Sequence, residues 1–196
     1  MSDAESLAAC IRERFPRVER RRCEENRCRL DCMGINHLVI LKGEALSSCL
    51  RPRRGPQQTK AADFVVFGEF AHRLILALVE MKGKDVDASE AVEQLRNSAE
   101  DVRQVLSTCG VPADAVEPIP LVLARSWPRP AHAVITKKGN RVAFSGKRYS
   151  VIPGKCGVRL TDVAARLQQR SGAACHTPLS TFGMMNRKRS SVIHFS

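Results

Sequence analysis

The stretch Lys60-Ala61-Ala62-Asp63-Phe64-Val65-Val66-Phe67-Gly68-Glu69-Phe70-Ala71-His72-Arg73-Leu74-Ile75-Leu76-Ala77-Leu78-Val79-Glu80-Met81-Lys82-Gly83 holds two apolar runs with charge at their outer ends. Asp63 heads the first run, Phe64 to Phe67. The second, Leu74 to Val79, ends in Glu80-Met81-Lys82. The Gly68 to His72 segment between them reads as a five-residue turn, an ordinary hairpin length. Strand side chains alternate between faces, so Glu80 and Lys82 share one face and Met81 points away. Pairing of the two runs brings Asp63 beside Glu80 where the hairpin opens; the register itself is not legible from one sequence.

Carboxylates at the end of so apolar a run are partly withdrawn from water, and two together repel, so one tends to keep its proton. A divalent cation relieves that cost. Mg²⁺ takes oxygen ligands, typically one or two carboxylates plus substrate phosphate. A metal so held activates water and stabilises charge on the phosphate under attack. Lys82 then orients or helps deprotonate that water, or neutralises the transition state. A lone Glu-x-Lys at a strand end is usually a surface ion pair, so the flanking chain matters.

Ahead of the stretch, residues 3–15 read as a helix with Ala4, Leu7, Ile11 and Phe15 at helical spacing, ended by Pro16. From Arg12 to Arg29 there are eight arginines and four glutamates, and the segment reads equally as a helix continuation or an ordered loop. Ile35 to Leu41 reads as a strand between Gly34 and Gly43, and Leu50 to Lys60 as a basic loop. Behind the stretch, Ala88, Val92, Leu95, Ala99, Val102 and Leu106 make one apolar stripe, predicting a helix that carries Gln94 and ends at Gly110 and Pro112. Ile119 to Ala124 suits a strand buried on both faces. Ala131 to Thr136 and Arg141 to Phe144 read as a hairpin around Lys137-Lys138-Gly139-Asn140, with a further strand at Tyr149 to Ile152. Thr161 to Arg170 reads as a short amphipathic helix, and residues 171–196 as a disordered tail. The sum is an α/β fold with a central mixed sheet flanked by helices and an extra C-terminal β-hairpin, in a single domain over residues 1–170.

Asp63, a strand-turn-strand and then Glu80-Met81-Lys82 resemble the PD-(D/E)xK nuclease superfamily, which has the restriction-endonuclease-like fold. The helix and strand before Asp63 and the Gln94 helix after Lys82 match that superfamily's core of helix, three strands, helix and strand, over roughly residues 3–125. The resemblance implies metal binding by Asp63 and Glu80, catalytic work by Lys82, support from Gln94, and Mg²⁺ or Mn²⁺ as cofactor. It further implies an endonuclease acting on nucleic acid, DNA before RNA. Many members add a glutamate from the first helix as a metal ligand, a place open to Glu5 or Glu13. The proline that usually precedes the aspartate is Ala62 here. Relatives often pair as homodimers to cut two strands, though no interface is legible in these residues.

The formal charge of +12 is unevenly spread. Residues 1–117 carry 18 Lys and Arg against 19 Asp and Glu, whereas residues 118–196 carry 14 against the single Asp162. The basic excess of the C-terminal part suits a polyanion, with Lys137, Lys138, Arg141, Lys147 and Arg148 as candidate phosphate contacts and Arg51, Arg53 and Arg54 as additions. The alternative is a solvated basic tail. Aromatic residues are too few there for a single-strand stacking platform.

Eight cysteines are many for a chain whose N-terminus lacks the pattern of a secretion signal. No apolar run approaches the ~18–20 residues of a membrane span, so a cytoplasmic protein with reduced thiols and no disulfide framework is expected. Cys23, Cys28 and Cys32, with Cys49 or His37 beyond, are a candidate Zn²⁺ or iron–sulfur ligand set. Their spacing is not the tight Cys-x2-Cys pair of common zinc sites, and unligated structural thiols are the favoured reading. Cys10, Cys109, Cys156 and Cys175 look scattered. Two rivals to a nuclease therefore stand: a non-catalytic nucleic-acid-binding module of the same fold, and a metal-binding interaction protein organised by the cysteines.

Overall fold

In the computed structural model, which describes residues 2–17, 21–50, 60–83, 86–137 and 139–173 (the side chains of 170–173 excepted), the two central apolar runs pair as antiparallel strands. In chain order the elements are α1 (Asp3–Arg14), β1 (Arg22–Glu25), β2 (Cys28–Asp31), β3 (Asn36–Lys42), α2 (Gly43–Leu50), β4 (Phe64–Phe70), β5 (Arg73–Lys82), α3 (Ala88–Thr108), β6 (Glu117–Ala124), α4 (Arg129–Thr136), β7 (Arg141–Phe144), β8 (Lys147–Ser150), β9 (Ile152–Lys155) and α5 (Leu160–Ala173). A five-stranded sheet has the order β3-β4-β5-β6-β9. Its first three strands are antiparallel neighbours, while β5, β6 and β9 run parallel. The architecture is therefore α/β with a mixed central sheet flanked by helices, as the sequence predicts.

Strand alternation divides the core into two layers. Val65, Phe67, Leu76 and Leu78 pack with Leu7 and Ile11 of α1 and Val92, Leu95 and Val102 of α3. Phe64, Val66, Ile75, Ala77, Val79 and Met81 face the other way, onto Cys23 and Leu30 of the β1–β2 hairpin and Leu160 and Ala164 of α5. Each such fully buried side chain contributes about 1.5–3 kcal/mol, and the layering fixes which way Glu80 and Lys82 face. Ser2 caps α1, its Oγ accepting from the Glu5 N–H at 3.2 Å.

Several local expectations are corrected. From Arg22 to Asp31 the Arg12–Arg29 segment is neither helix continuation nor loop; β1 and β2 form a hairpin turning at Asn26-Arg27, both with left-handed φ, +51° and +55°. Its inward positions Cys23, Cys28 and Leu30 alternate with the outward Arg22, Glu24 and Arg29, a period-2 pattern that the density of charge conceals in the sequence. The central turn is shorter than five residues: β4 runs on to Phe70, and Ala71-His72 alone turn, with φ of +49° and +60°. Ala131 to Thr136 is helical rather than a strand. Pro130 is accepted in the first turn of α4, and Ala131 and Ile135, four apart, pack inward. The extra hairpin exists, but it joins β7 to β8 through Ser145-Gly146, both at positive φ. Helix α2 had no counterpart in the sequence reading. It begins at Gly43, where a Cβ would lie 1.8 Å from the Ala62 carbonyl oxygen.

The cysteines also depart from expectation. Cys10 is disulfide-bonded to Cys109, and Cys28 to Cys156. The tail expected at 171–196 lies outside the described residues beyond Ala173, as do Arg51, Arg53, Arg54 and Lys138. Among the described residues no helix is long and apolar enough to cross a membrane.

Candidate active site

Register decides the geometry. Phe64, the first residue of β4, pairs with Val79, so Asp63 falls beside the Glu80–Met81 peptide at the end of β5. The Met81 N–H donates to Asp63 Oδ2 at 2.7 Å, and the Asp63 N–H donates to Glu80 Oε2 at 3.2 Å. Each carboxylate is thereby held by the backbone of the other's strand. Lys82 Nζ lies 2.8 Å from Glu80 Oε1 and donates to Gln94 Oε1 at 3.0 Å. The four residues Asp63, Glu80, Lys82 and Gln94 are brought together as the sequence reading expects.

Burial sets the electrostatics. Glu80 is 2 % exposed at the tip of an apolar strand. Desolvation first, and then the neighbouring Asp63 charge, raise its pKa to about 7 against the pull of the Lys82 ammonium. Burial also raises Asp63, opposed by the Met81 N–H and reinforced by the charge of Glu25. For Lys82, burial pushes the pKa down, but the hydrogen bond and charge of Glu80, with Glu90 and Asp63, outweigh it and hold the ammonium form. Without a bound cation, Glu80 therefore favours folding most in its protonated form. Its contribution is full below about pH 4.5 and is lost as pH rises through about 7, a decline of up to about 3 kcal/mol. Urea unfolding at a series of pH values in EDTA checks this. Wild-type stability should fall relative to Glu80→Gln across that window, and parallel curves would refute it.

Further residues complete the cluster from both faces of the sheet. On the α3 side, the Asp87 cap starts the helix so that Glu90 and Gln94 sit over Lys82. Glu90 Oε2 is 3.5 Å from Lys82 Nζ, and its Oε1 is hydrogen-bonded to Lys60. Lys60 first, then Lys82, keep Glu90 below the usual glutamate range. Three α3 side chains then hold the approach to Asp63. Gln94 Nε2 donates to the Ala61 carbonyl (3.4 Å), Asn97 Nδ2 donates to the Lys60 carbonyl (3.0 Å), and Ser98 Oγ accepts from the Ala62 N–H (2.9 Å). On the opposite side, Lys42 pairs with Glu25 and lies 4.2 Å over the Phe64 ring, while Asn26 Nδ2 donates to the Met81 carbonyl at 3.2 Å.

Glu90, Gln94, Asn97 and Ser98 recur at helical spacing, a second, polar stripe on α3 that the sequence reading passed over. Glu25, Asn26 and Lys42 leave no such local signal, because only the fold of the β1–β2 hairpin brings them here. Ser98 is 1 % exposed beside the fully buried Ala62. Ser98→Ala orphans a buried N–H and is expected to cost about 1–3 kcal/mol, read as a lowered urea midpoint; an unchanged midpoint would remove the clamp from the account.

The remaining candidates distribute differently. Glu5 and Glu13 are exposed on α1, and among the described residues no hydrogen bond or ion pair joins either to the cluster. Lys137, Arg141, Lys147 and Arg148 are exposed on and beside the β7–β8 hairpin. Val142 and Phe144 of that hairpin are buried in the α3 layer. Arg96, two residues past Gln94, donates to the carbonyls of Arg141 (3.1 Å) and Gly139 (3.4 Å). The four cysteines considered as a metal set are not brought together. Cys28 is bonded to Cys156, and Cys49 is exposed on α2, whose Leu46 packs in the layer across the sheet from Cys23 and Cys32. Cys23 and Cys32 are hydrogen-bonded to each other; that bond first, and burial second, push the Cys23 thiol well above its ordinary range. Among the described residues, no group of three or more His, Cys, Asp or Glu converges as a metal cluster. Set against known proteins, the chain matches no protein-family model, no curated protein and no solved structure.

Proposed function

We propose that the chain is a metal-dependent nuclease of the PD-(D/E)xK type, hydrolysing phosphodiester bonds of nucleic acid, DNA before RNA, on a restriction-endonuclease-like core. The observation that carries this reading is the convergence of Asp63, Glu80, Lys82 and Gln94 at one strand end, with Lys82 Nζ within 3.0 Å of both Glu80 and Gln94 oxygens. The order α1, β3, β4, β5, α3, β6 supports it as the matching scaffold.

The donor set suits a hard divalent cation. Asp63 and Glu80 are two adjacent, partly desolvated carboxylates, both pushed toward protonation, and Mg²⁺ commonly takes one or two carboxylates beside substrate phosphate and water. Asp63 and Glu80 would hold Mg²⁺ or Mn²⁺, which supplies charge neutralisation and water activation when bound. The protein's own contribution is positional. Glu80 Oε1 and Gln94 Oε1 occupy two of the three Lys82 N–H donors and aim the ammonium across the strand end. Held as an ammonium, Lys82 donates to a phosphoryl oxygen or orients water, and so counters charge that grows in the transition state. The α3 clamp on residues 60–62 keeps Asp63 against Met81, so little reorganisation precedes reaction.

Incubation of labelled DNA and RNA with Mg²⁺ or Mn²⁺ tests this. Cleavage that EDTA abolishes is expected, on DNA before RNA. One alternative, a non-catalytic nucleic-acid-binding module, is favoured by the way Lys82 and two backbone N–H groups already satisfy Glu80 and Asp63. Binding without cleavage under every metal would select it.

A further inference from the structure

Three segments meet at the end of the sheet beside the catalytic strand. They are the β1–β2 turn at Asn26-Arg27, the end of β6 at Ala124-Arg125, and the end of β9 at Lys155-Cys156. Parallel register aligns Lys82 with Ala124 and Ala124 with Lys155, so the row continues directly from the candidate site. The segments are tightly laced. Arg125 Nη2 donates to the Arg27 carbonyl at 3.3 Å, the Cys156 N–H to the Ala124 carbonyl at 3.2 Å, and the Gly157 N–H to the Arg29 carbonyl at 2.7 Å. Cys28 and Cys156, the residues immediately after Arg27 and Lys155, are joined covalently. Asn26 ties the turn to the Met81 carbonyl, between Glu80 and Lys82.

The lacing gathers Arg27, Arg125 and Lys155, all exposed, at one rim. Among the described residues none of the three has a carboxylate partner; the nearby acids are engaged elsewhere, Glu24 with Arg22, Asp31 with Arg29 and Glu25 with Lys42. Three cations without carboxylate partners on neighbouring, laced segments raise the local positive potential, and a polyanion is attracted to it. Strands in a sheet lie about 4.8 Å apart, which puts the Lys155 backbone roughly 10 Å from that of Lys82. That is about three nucleotides of rise along one strand of a duplex.

We propose that Arg27, Arg125 and Lys155 form a phosphate-binding rim that grips the nucleic-acid backbone a few nucleotides from the bond being cut. The rim rests on the reading above in taking nucleic acid as the partner, and it is separate from the basic β7–β8 hairpin. The contacts are to phosphate, so they position the substrate without reading its sequence.

The experiment measures binding of a fluorescent DNA duplex to the full chain in EDTA over a range of salt, under non-reducing conditions. The variants are Arg27→Ala/Arg125→Ala/Lys155→Ala and a control, Arg73→Ala/Arg103→Ala, that removes cations from the opposite end of the sheet and of α3. The rim variant should lose affinity by on the order of tenfold or more, and its log K against log salt slope should shrink by about 2–3, roughly one unit per lost contact. The control should keep the wild-type slope, and Arg27→Lys/Arg125→Lys, which preserves charge on the same fold, should restore most of it. An unchanged slope in the rim variant, or an equal loss in the control, overturns the rim. Because no metal is present, the outcome is independent of cleavage. A reduced slope in a protein that never cuts would fail the nuclease reading and keep the rim; cutting that depends on Glu80 with an unchanged slope would do the reverse.

Discussion

Glu80→Ala is expected to lower DNA cleavage at saturating Mg²⁺ by about a thousandfold, and Lys82→Ala by about a hundredfold or more. The two effects have different origins. Glu80 is the more deeply buried carboxylate, and its removal leaves Asp63 alone to hold a cation while Lys82 loses its 2.8 Å partner. Lys82→Ala keeps both carboxylates but removes the cation that, on the proposed mechanism, would face the reacting phosphate. Glu80→Ala should not weaken DNA binding in EDTA, because it deletes a negative charge. Single-turnover cleavage and equilibrium binding on the same proteins therefore separate chemistry from grip. Glu80→Ala is also expected to fold, since the carboxylate is a net cost to the metal-free protein above about pH 7. Cleavage at the wild-type rate in both variants would sink the nuclease assignment.

Reduction of the two disulfides should produce the largest change in stability. The Cys10–Cys109 bond spans 99 residues of sequence and Cys28–Cys156 spans 128. Closing loops of that length restricts the unfolded chain, and such bonds typically contribute about 2–4 kcal/mol each, with a chain-entropy estimate near 4.7 for a loop of about 100 residues. The first bond ties α1 to the end of α3, across the layer that supports the candidate site. The second ties the β1–β2 hairpin, which has only two strands of its own, to the end of β9. Urea midpoints measured with and without reductant should differ by several kcal/mol in total, and Cys28→Ser/Cys156→Ser should reproduce about half of the difference. A midpoint indifferent to reductant would mean that the thiols are free in solution.

The candidate site was legible because its signals are local. Asp63, Glu80, Lys82 and Gln94 each sit at a position fixed by strand alternation or helical spacing, so an apolar pattern and a resemblance sufficed to group them. The polar face of α3 carries the same kind of signal in Glu90, Asn97 and Ser98, interleaved with the stronger apolar stripe. Glu25, Asn26 and Lys42 were not legible, because long-range packing brings a hairpin to the far side of the strand end. Crowded charge obscured the period-2 pattern of β1 and β2. At Ala131 to Thr136, β-favouring residues misled: helix packing against α3 overrode a weak strand propensity. The disulfide pairs link residues about a hundred or more positions apart, a distance at which spacing carries no information.

Strand β5 is paired along nearly its whole length, with β4 on one side and β6 on the other. Backbone so enclosed opens only when the domain itself opens, so Glu80 and Lys82 sit on a frame as rigid as the fold. The two outer hairpins are built otherwise. The β1–β2 and β7–β8 hairpins are separate two-stranded sheets, pinned to the core by a few side chains, a disulfide and Arg96. Insertions or replacements in the β7–β8 hairpin leave the ladder of β5 untouched, whereas the β1–β2 turn is tied to β5 through Asn26. On the proposed reading the molecule is modular: reaction chemistry would be inherited with the central sheet, while target preference would diversify at the hairpins.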